Sequence, residues 1–586
     1  MARKIRDLLP DTVQSDLARL TLCLEDDGPI VVWLCGPTGA GKSALLGEFS
    51  AAAASQNWRV VVFDCRTVEP TVAGLLAALG EILGESPASL EAAAEQLSAL
   101  ADRVVIAFDN YEVFRLADSL LRRDFIPALR ETARIVLVSR ESPTAGWASA
   151  TEWQDFFVTI TLQGNDDTEV LASGYLDDLQ GSALRDAHDA AAVVRRVTKP
   201  MLAALLPSTE ADQLYEQLAA SPLVETRRDG LALSDAVRRH IADHLQAADH
   251  ERYRAYQKAA WRLLRQQLKE SARADLWRCT ADIIYLIENP VIREAFFPSE
   301  GARFSVEPAI TGDEGAILEI TDKHEPAATE IMRLWWQHLP TAFHVIRDSH
   351  GAIAGYLCVA LPQDLDGAWM QSDPVARNWQ HHVNLKGRSS RPPSLFLRRW
   401  LSQEHGEAPS AIQAAAWVDV KRTYLELRPE LRRVYLAVRD LTPYAAAATQ
   451  LGFQVLEDLG TRIGDSPFHS AMLDFGPGSV DGWICNLLAA ELGITEDRLL
   501  DGSTRELIAG DRRIPLTPLE FSLVEMLEGR SGEAVSRAEL LREVWGHGYE
   551  GGSNVVDALV RGLRKKCGDA ASMIETVRGV GYRLRP

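Results

Sequence analysis

The sequence predicts a multidomain chain of α/β and α+β architecture, and three observations carry that reading. At 586 residues the chain is too long for one hydrophobic core, and roughly 100–200 residues per domain implies three to five domains. Near its start the stretch GPTGAGKS, Gly36 to Ser43, lies between an apolar run, VVWLC, and a helix-forming one, ALLGEF. That is the order strand, glycine-rich turn, helix. Near its end, over 503 to 586, two helix-start signatures, a basic helix and a hairpin follow one another.

Composition removes several classes. Hydrophobic residues make up 46% and charged ones 25%. No apolar run approaches the ~18 residues of a membrane helix, and the opening MARKIRDLLPD has no signal-peptide apolar core. A cytoplasmic protein with no membrane partner is expected. Seven cysteines, Cys23, Cys35, Cys65, Cys279, Cys358, Cys485 and Cys567, show no CxxC pair or metal-like spacing. Reduced thiols are therefore expected, not a disulfide or zinc framework. The net charge of −20 speaks against indiscriminate nucleic-acid binding by the whole chain. From Gly552 onward, however, Arg561, Arg564, Lys565, Lys566, Arg578, Arg583 and Arg585 face only Asp557, Asp569 and Glu575. That segment carries +4 and the remainder −24, as a small DNA-reading module on an acidic chain would.

Each residue of the pattern G-x-x-x-x-G-K-[ST] has a mechanical reason. Gly36, Pro37, Thr38, Gly39, Ala40 and Gly41 form a turn whose backbone N–H groups curl around phosphates. Lys42 reaches the β- and γ-phosphates, and the Ser43 hydroxyl takes Mg²⁺ at the start of a helix whose dipole favours the anion. Residues 30 to 35 read as strand and 43 to 50 as helix; Trp58 to Asp64 reads as a further strand. RVVIAFDNYE, Arg103 to Glu112, is a continuous apolar run ending in acid, as a buried parallel strand with a metal-directed carboxylate would be. Asp109 is assigned with Ser43 to the metal, and Glu112 to polarising the attacking water. The strand ARIVLVSR ends in Arg140, placed to sense the γ-phosphate. ATP and Mg²⁺ are the implied cofactors.

Together these residues resemble the P-loop NTPases called signal-transduction ATPases with numerous domains (STAND), over roughly the first 300 residues. The resemblance implies a P-loop NTPase parallel sheet over 1–165 and a helical and winged-helix-like packing domain, or lid, over 166–300. SPLVETRRDGLALSDAVRRHIADHL, Ser221 to Leu245, supplies its short winged helix. The Gly-x-Pro motif that many members place after the core is not evident; VTKPMLAALL, with Lys199-Pro200, stands nearest. Slow hydrolysis used as a switch, and a homo-oligomer when ATP is bound, are what the resemblance implies.

Over 503–586 the local signals agree. TPLE, Thr517 to Glu520, and SRAE, Ser536 to Glu539, are capping boxes that start helices at about 518–529 and 537–546. After GHGYEGG, a third helix places Val556, Val560, Leu563 and Cys567 on one stripe. Its other face holds Asn554, Arg561, Arg564, Lys565 and Lys566, and IETVRGVGYRL reads as a hairpin turning at Gly579 with Arg578 near the tip. Helix, helix, basic helix and basic hairpin make a winged-helix DNA reader. LTPLEF, VSRAELLREVWG, VVDALVRGLRKK and IETVRGVGYRL closely resemble the OmpR-type output domain of two-component response regulators, which implies promoter DNA as partner. Leu559 and Gly562 stand where that family usually has histidine and arginine, leaving Leu559 a thymine methyl to contact and phosphates more of the affinity. The stretch Trp545 to Ser553 is where the family often touches RNA polymerase.

Residues 301–475 contain a hairpin, HVIRDSHGAIAGYLCVAL, turning at His350-Gly351, then a strand RRVYLAVRD, a helix TPYAAAATQ and LGFQVL. That order resembles the GNAT acyltransferases and implies a GNAT-like α+β domain. The family's cofactor loop, Gln/Arg-x-x-Gly-x-Gly/Ala, is expected between AIQAAAWVDV and RRVYLAV, where residues 418–430, VDVKRTYLELRPE, contain no glycine. A degenerate domain that packs, or receives an unknown small-molecule or protein signal, is expected. His381-His382 reads as a solvated loop, Trp335-Trp336 as core or interface, and PGSVDGWICNLLAAELGI, within 476–502, as a linker with a short helix.

The functional expectation is an ATP-switched transcription regulator. The alternatives are an ATP-regulated GNAT-type acyltransferase and a defence-type ATPase whose output is oligomerisation.

Overall fold

The computed structural model describes residues 11–37, 39–143, 145–148, 156–163, 175–176, 179–207, 210–227, 229–296, 304–385, 394–476, 478–494, 500–501, 505–509, 512–529, 534–545 and 554–585. They fall into two compact units. The first takes residues up to 307 with 345–355 and 410–426; the second takes 308–344, 356–409 and 427 onward.

The first unit is built on Val31–Cys35 (β1), Arg59–Asp64 (β2), Val104–Asp109 (β3), Ala133–Ser139 (β4) and Phe157–Thr161 (β5). All pair in parallel, in the order β2-β3-β4-β1-β5. Every residue of β1 and β4 is buried, as expected of strands covered on both faces. Alternate residues feed two cores. Trp33, Phe63, Ile106, Phe108 and Leu137 lie on one side; Val32, Leu34, Val105, Val136 and Val138 lie on the other, with Leu45, Phe49 and Ala53 of the helix Lys42–Ser55 (α1). Because β1 lies between β4 and β5 and not beside β2, the chain turns away at the end of β1, where α/β sheets open a crevice.

The packing region brings helices Ala183–Val193 (α2), Lys199–Leu205 (α3) and Ala211–Ala219 (α4), a hairpin of Val224–Arg227 (β6) and Gly230–Leu233 (β7), and the helix Asp235–Ala248 (α5). Thr198 caps α3 through the amide of Met201, with Pro200 in the first turn. Ser221 to Leu245, read as a short winged helix, holds the β6-β7 hairpin and most of α5.

A seven-stranded sheet contains Ser305–Pro308 (β8), Phe343–Arg347 (β9), Ile353–Ala360 (β10), Ser394–Ser402 (β11), Arg433–Val438 (β12), Phe453–Ile463 (β13) and Ser466–Asp474 (β14). Its order is β13-β14-β12-β11-β10-β9-β8. Gly351, at φ 78°, turns the expected hairpin between β9 and β10. β11 and β12 run parallel but pair only from Ser394–Arg433 to Leu397–Leu436, although β11 continues to Ser402. Trp335 and Trp336 are core residues.

Two expectations for this region are corrected. His381 and His382 sit on a helix, Pro374–Leu385 (α6), not in a loop. The Asp373 carboxylate accepts from the amide of Val375 at its start, and His382 Nδ1 lies 2.9 Å from the Tyr435 hydroxyl. AIQAAAWVDV does not precede the crossover loop but follows it, as the first ten residues of the helix Ala411–Glu426 (α7). The loop that leaves β11 is therefore 403–410, QEHGEAPS. Within 476–502, read as a linker with a short helix, lies the helix Ser479–Glu491 (α9), following Ala445–Leu451 (α8). α9 buries Val480, Trp483, Ile484, Leu487 and Leu488, and its Asp481 pairs with buried Arg428 at 2.6 Å.

The C-terminal region opens with a small antiparallel sheet, Leu500–Asp501 (β15), Glu506–Ala509 (β16) and Arg512–Pro515 (β17). Then come Pro518–Gly529 (α10), Val535–Ser536 (β18), Arg537–Leu540 (α11) continued by a wider turn through Trp545, Asn554–Cys567 (α12), Ile574–Val577 (β19) and Gly581–Leu584 (β20). Both capping boxes start their helices. The Thr517 amide donates to Glu520 at 2.8 Å, and the Glu539 amide to Ser536 Oγ at 3.1 Å. Val556, Val560, Leu563 and Cys567 enter one core with Leu523, Leu527 and Tyr582. All seven cysteines are buried thiols with no disulfide.

Candidate functional site

The glycine loop leaves β1 at its C-terminal end. Gly39 and Gly41 have φ of 86° and 79°, left-handed values that side-chain-bearing residues resist. A Cβ on Gly36 would lie 2.8 Å from the Leu162 carbonyl, so only glycine lets the strand end run so close to its neighbour. Gly41 caps α1 without a side-chain acceptor, and a Cβ there would meet nothing within 4 Å. Lys42 Nζ donates to the carbonyls of Gly36 and Pro37 at 2.7 and 2.8 Å, drawing the loop round the amine. Thr38 lies outside the described residues; Ala40 is buried behind the loop.

Ser43 Oγ donates to Asp109 Oδ2 at 2.9 Å, so the two residues assigned to a metal meet. Burial raises the Asp109 carboxyl above its ordinary pKa; the Ser43 hydroxyl opposes this, and neighbouring Asp64 adds to it. Asp64 ends β2 in register with Asp109 at the end of β3. A carboxylate that resists its own charge is relieved by a cation. The buried carboxylate, the hydroxyl on it and the open glycine cradle fit a nucleotide with a divalent cation.

Glu112 and Arg140 also meet. Arg140 Nε donates to Glu112 Oε1 at 2.7 Å, and the Arg140 backbone amide to Oε2 at 3.2 Å. The Glu112 side chain is 6% exposed and that of Arg140 44%. The sequence reading missed a second polar group beside them. Asp64 accepts from Arg66 Nε and Nη2, both at 3.0 Å, and from Asn110 Nδ2 at 3.1 Å, with Arg227 of β6 at 3.6 Å. Asn110 sits at φ 58°. The one available signal was that β2 ends in acid, as β3 does; its partners come from loops with no periodicity.

On α12 the exposed residues are Asn554, Ala558, Arg561, Gly562, Lys565 and Lys566. The hairpin turns at Gly579, φ 77°, with Arg578 exposed. Lys566 donates to Glu520, the capping acid of α10, at 2.5 Å. Arg564 is engaged inside the domain: its Nε donates to the Ile574 carbonyl at 3.0 Å and its Nη2 to Thr576 Oγ1 at 2.9 Å. Leu559 packs part-buried against the core, which withdraws it from the thymine contact expected of it. Asp557, which the sequence reading passed over, accepts from Arg537 Nε at 2.8 Å and Tyr582 Oη at 2.5 Å, tying α11, α12 and β20 together.

Beyond the last β11–β12 pair, the gap is filled by side chains. Arg399 of β11, fully buried, donates to the Ala437 carbonyl of β12 at 3.3 Å, to Glu325 through Nε at 3.0 Å, and pairs with Glu407 at 2.6 Å. Arg398 pairs with buried Asp373 at 2.6 Å, and Trp335 Nε1 donates to the same carboxylate at 2.8 Å.

Residues 511–584 match the family described as transcriptional regulatory protein, C terminal. Over 91 residues the chain is 46% identical to the transcriptional regulatory protein AfsQ1 of Streptomyces coelicolor, covering 15% of this chain and 40% of that protein. The chain thus spans well under half the length of this curated relative. Among solved structures, the DNA-binding domain of Bacillus subtilis CssR is 38% identical, covering 15% of this chain and 97% of that one, with a TM-score of 0.14. A signal transduction ATPase with numerous domains and a tetratricopeptide repeat sensor, PH0952 from Pyrococcus horikoshii, is 13% identical over 54% of this chain and 55% of that one, with a TM-score of 0.26. That score carries no argument about the first unit. The C-terminal region is an OmpR-type winged-helix DNA-binding domain. Among the described residues no helix is long and apolar enough to cross a membrane.

Proposed function

We propose that this protein is an ATP-switched transcription regulator, in which nucleotide state controls self-association and so the occupancy of promoter DNA. The observation that carries the nucleotide part is the hydrogen bond from Ser43 to Asp109 beneath an open glycine cradle. Lys42 and the loop amides from Gly36 to Ser43 hold the phosphates of ATP, and Ser43 and Asp109 hold Mg²⁺. The metal supplies neutralisation of phosphate charge. Glu112 accepts a proton from the attacking water, and Arg140 contacts the γ-phosphate.

On the DNA side, Asn554, Arg561, Lys565 and Arg578 are the exposed contacts, with Lys566 beside them. A single winged helix neutralises few phosphates and binds weakly, whereas two copies on repeated half-sites gain effective concentration. ATP-driven self-association is therefore sufficient coupling. The stretch Trp545 to Ser553, of which 546–553 lie outside the described residues, is where RNA polymerase is proposed to bind, and the middle region receives the small-molecule or protein signal.

The test is fluorescence anisotropy of the full chain on DNA from upstream of its own gene, with ATP, ADP or no nucleotide, across salt concentrations. Tighter, sequence-selective binding with ATP is expected, and Lys42→Ala should lose that response while keeping the residual DNA affinity. Equal affinity in all three states would sink the switch.

One observation favours a second reading, an acyltransferase. The crossover loop after β11 reads Gln403-Glu404-His405-Gly406-Glu407-Ala408, the Gln-x-x-Gly-x-Ala pattern that the sequence reading sought at 418–430. Against it, Arg399 and its carboxylates fill the space between β11 and β12. Acetyl-CoA should leave the melting temperature unchanged on the first reading and raise it on the second.

A further inference from the structure

We propose that Glu112 and Arg140 hold each other in a closed pair before ATP binds, and that the γ-phosphate opens the pair by drawing Arg140 away, which releases Glu112 for the attacking water. This rests on the nucleotide reading of the glycine loop and adds its regulation.

Both carboxylate oxygens of Glu112 are occupied by one residue, Oε1 by Arg140 Nε and Oε2 by the Arg140 amide. The guanidinium thus takes a position on Oε1 that it vacates on turning away, while the backbone amide keeps Oε2 in place. Sequence position puts both partners at the loop. β4 pairs with β1 so that Ser139 lies beside Cys35, and Arg140 therefore emerges alongside Gly36, the first residue of the loop. Glu112 follows Asp109 by three residues, and Asp109 already holds the first helical hydroxyl, Ser43. Glu112 is almost wholly buried whereas Arg140 remains 44% exposed, so the arginine is the partner that can turn toward an arriving anion while the glutamate stays in place.

The thermodynamic consequence separates ATP from ADP. A ligand that must break the pair binds more weakly by the pair's free energy, and only a ligand with a γ-phosphate has reason to break it. Half-exposed ion pairs are worth up to about a fivefold change in affinity. Removing the Glu112 carboxylate should therefore tighten ATP-like ligands and leave ADP alone.

The experiment is calorimetric titration of the full chain with the non-hydrolysable analogue AMP-PNP and with ADP, both with Mg²⁺, so that turnover plays no part. Glu112→Ala should bind AMP-PNP about two- to fivefold tighter with ADP affinity unchanged. Glu112→Gln, which keeps an uncharged acceptor, should fall between it and the wild type. Arg140→Ala should lose the preference for AMP-PNP over ADP. Unchanged AMP-PNP affinity in both Glu112 variants, or equal tightening of both nucleotides, would overturn the closed pair while leaving the nucleotide site standing. Absence of binding by the wild-type chain would overturn the nucleotide reading and the pair with it.

Discussion

Arg561 and Arg564 stand three residues apart on α12 and do different work. Arg561 is exposed beside Ala558 and Gly562, on a face suited to the major groove. Arg564 reaches instead across to β19 and donates to Ile574 and Thr576. Arg561→Ala should leave thermal unfolding unchanged, weaken DNA binding and lower the salt slope by about one if the contact is a phosphate. Arg564→Ala should lower the melting temperature, since it strands a buried carbonyl at a cost of about 1–3 kcal/mol; scanning calorimetry distinguishes the two. Charge and helical spacing alone put both arginines on the DNA face. What separated them was a carbonyl ten residues away, which no helical wheel contains.

At the scale of elements, β11 shows where periodicity fails. SLFLRRWLS is buried at every position, with two adjacent arginines inside, and charge in a buried strand requires partners. Those partners, Asp373, Glu325 and Glu407, come from three separate segments. Arg399→Ala leaves buried Glu325, and Glu407 beside it, without their cation and should cost about 3–5 kcal/mol in denaturant unfolding. The cofactor loop was sought too far along the chain, at 418–430, because AIQAAAWVDV is alanine-rich and apolar, and a short apolar run does not distinguish a strand from a buried helix. By contrast, the capping boxes at Thr517 and Ser536 and the turn at Gly579 were legible, because their hydrogen bonds close within three residues or depend on one backbone angle.

For the whole molecule, charge sets the response to acid. Burial alone would raise the Asp474 carboxyl, but Arg432 at 2.7 Å and Arg433 at 2.9 Å hold it below the usual range. Arg432 also pairs with Glu525 of α10 at 2.5 Å, joining β12 and β14 to the DNA-binding domain within the second unit. A carboxyl whose folded pKa is depressed stabilises the fold above its unfolded pKa, ~3.9 for aspartate, and loses that contribution as pH falls through the folded value. Asp474→Asn should therefore lower the melting temperature at pH 7, and the difference from wild type should shrink as the pH is taken below ~4.

By itself the sequence determined the parallel sheet around the glycine loop, the positions of Lys42, Ser43, Asp109, Glu112 and Arg140, and the three helices and closing hairpin of the C-terminal domain, though not its opening sheet β15-β16-β17. These are set by apolar runs, caps and glycines whose physical requirements are met by residues near in the chain. Tertiary structure alone decided that Glu112 and Arg140 face each other, that Asp64 gathers Arg66, Asn110 and Arg227, and that Arg399 fills the gap in the middle sheet. Apart from Arg66, which lies two residues from Asp64, each of those is a polar pairing between groups tens of residues apart. Such a pairing follows from where the fold brings the groups, and local patterning carries no trace of it.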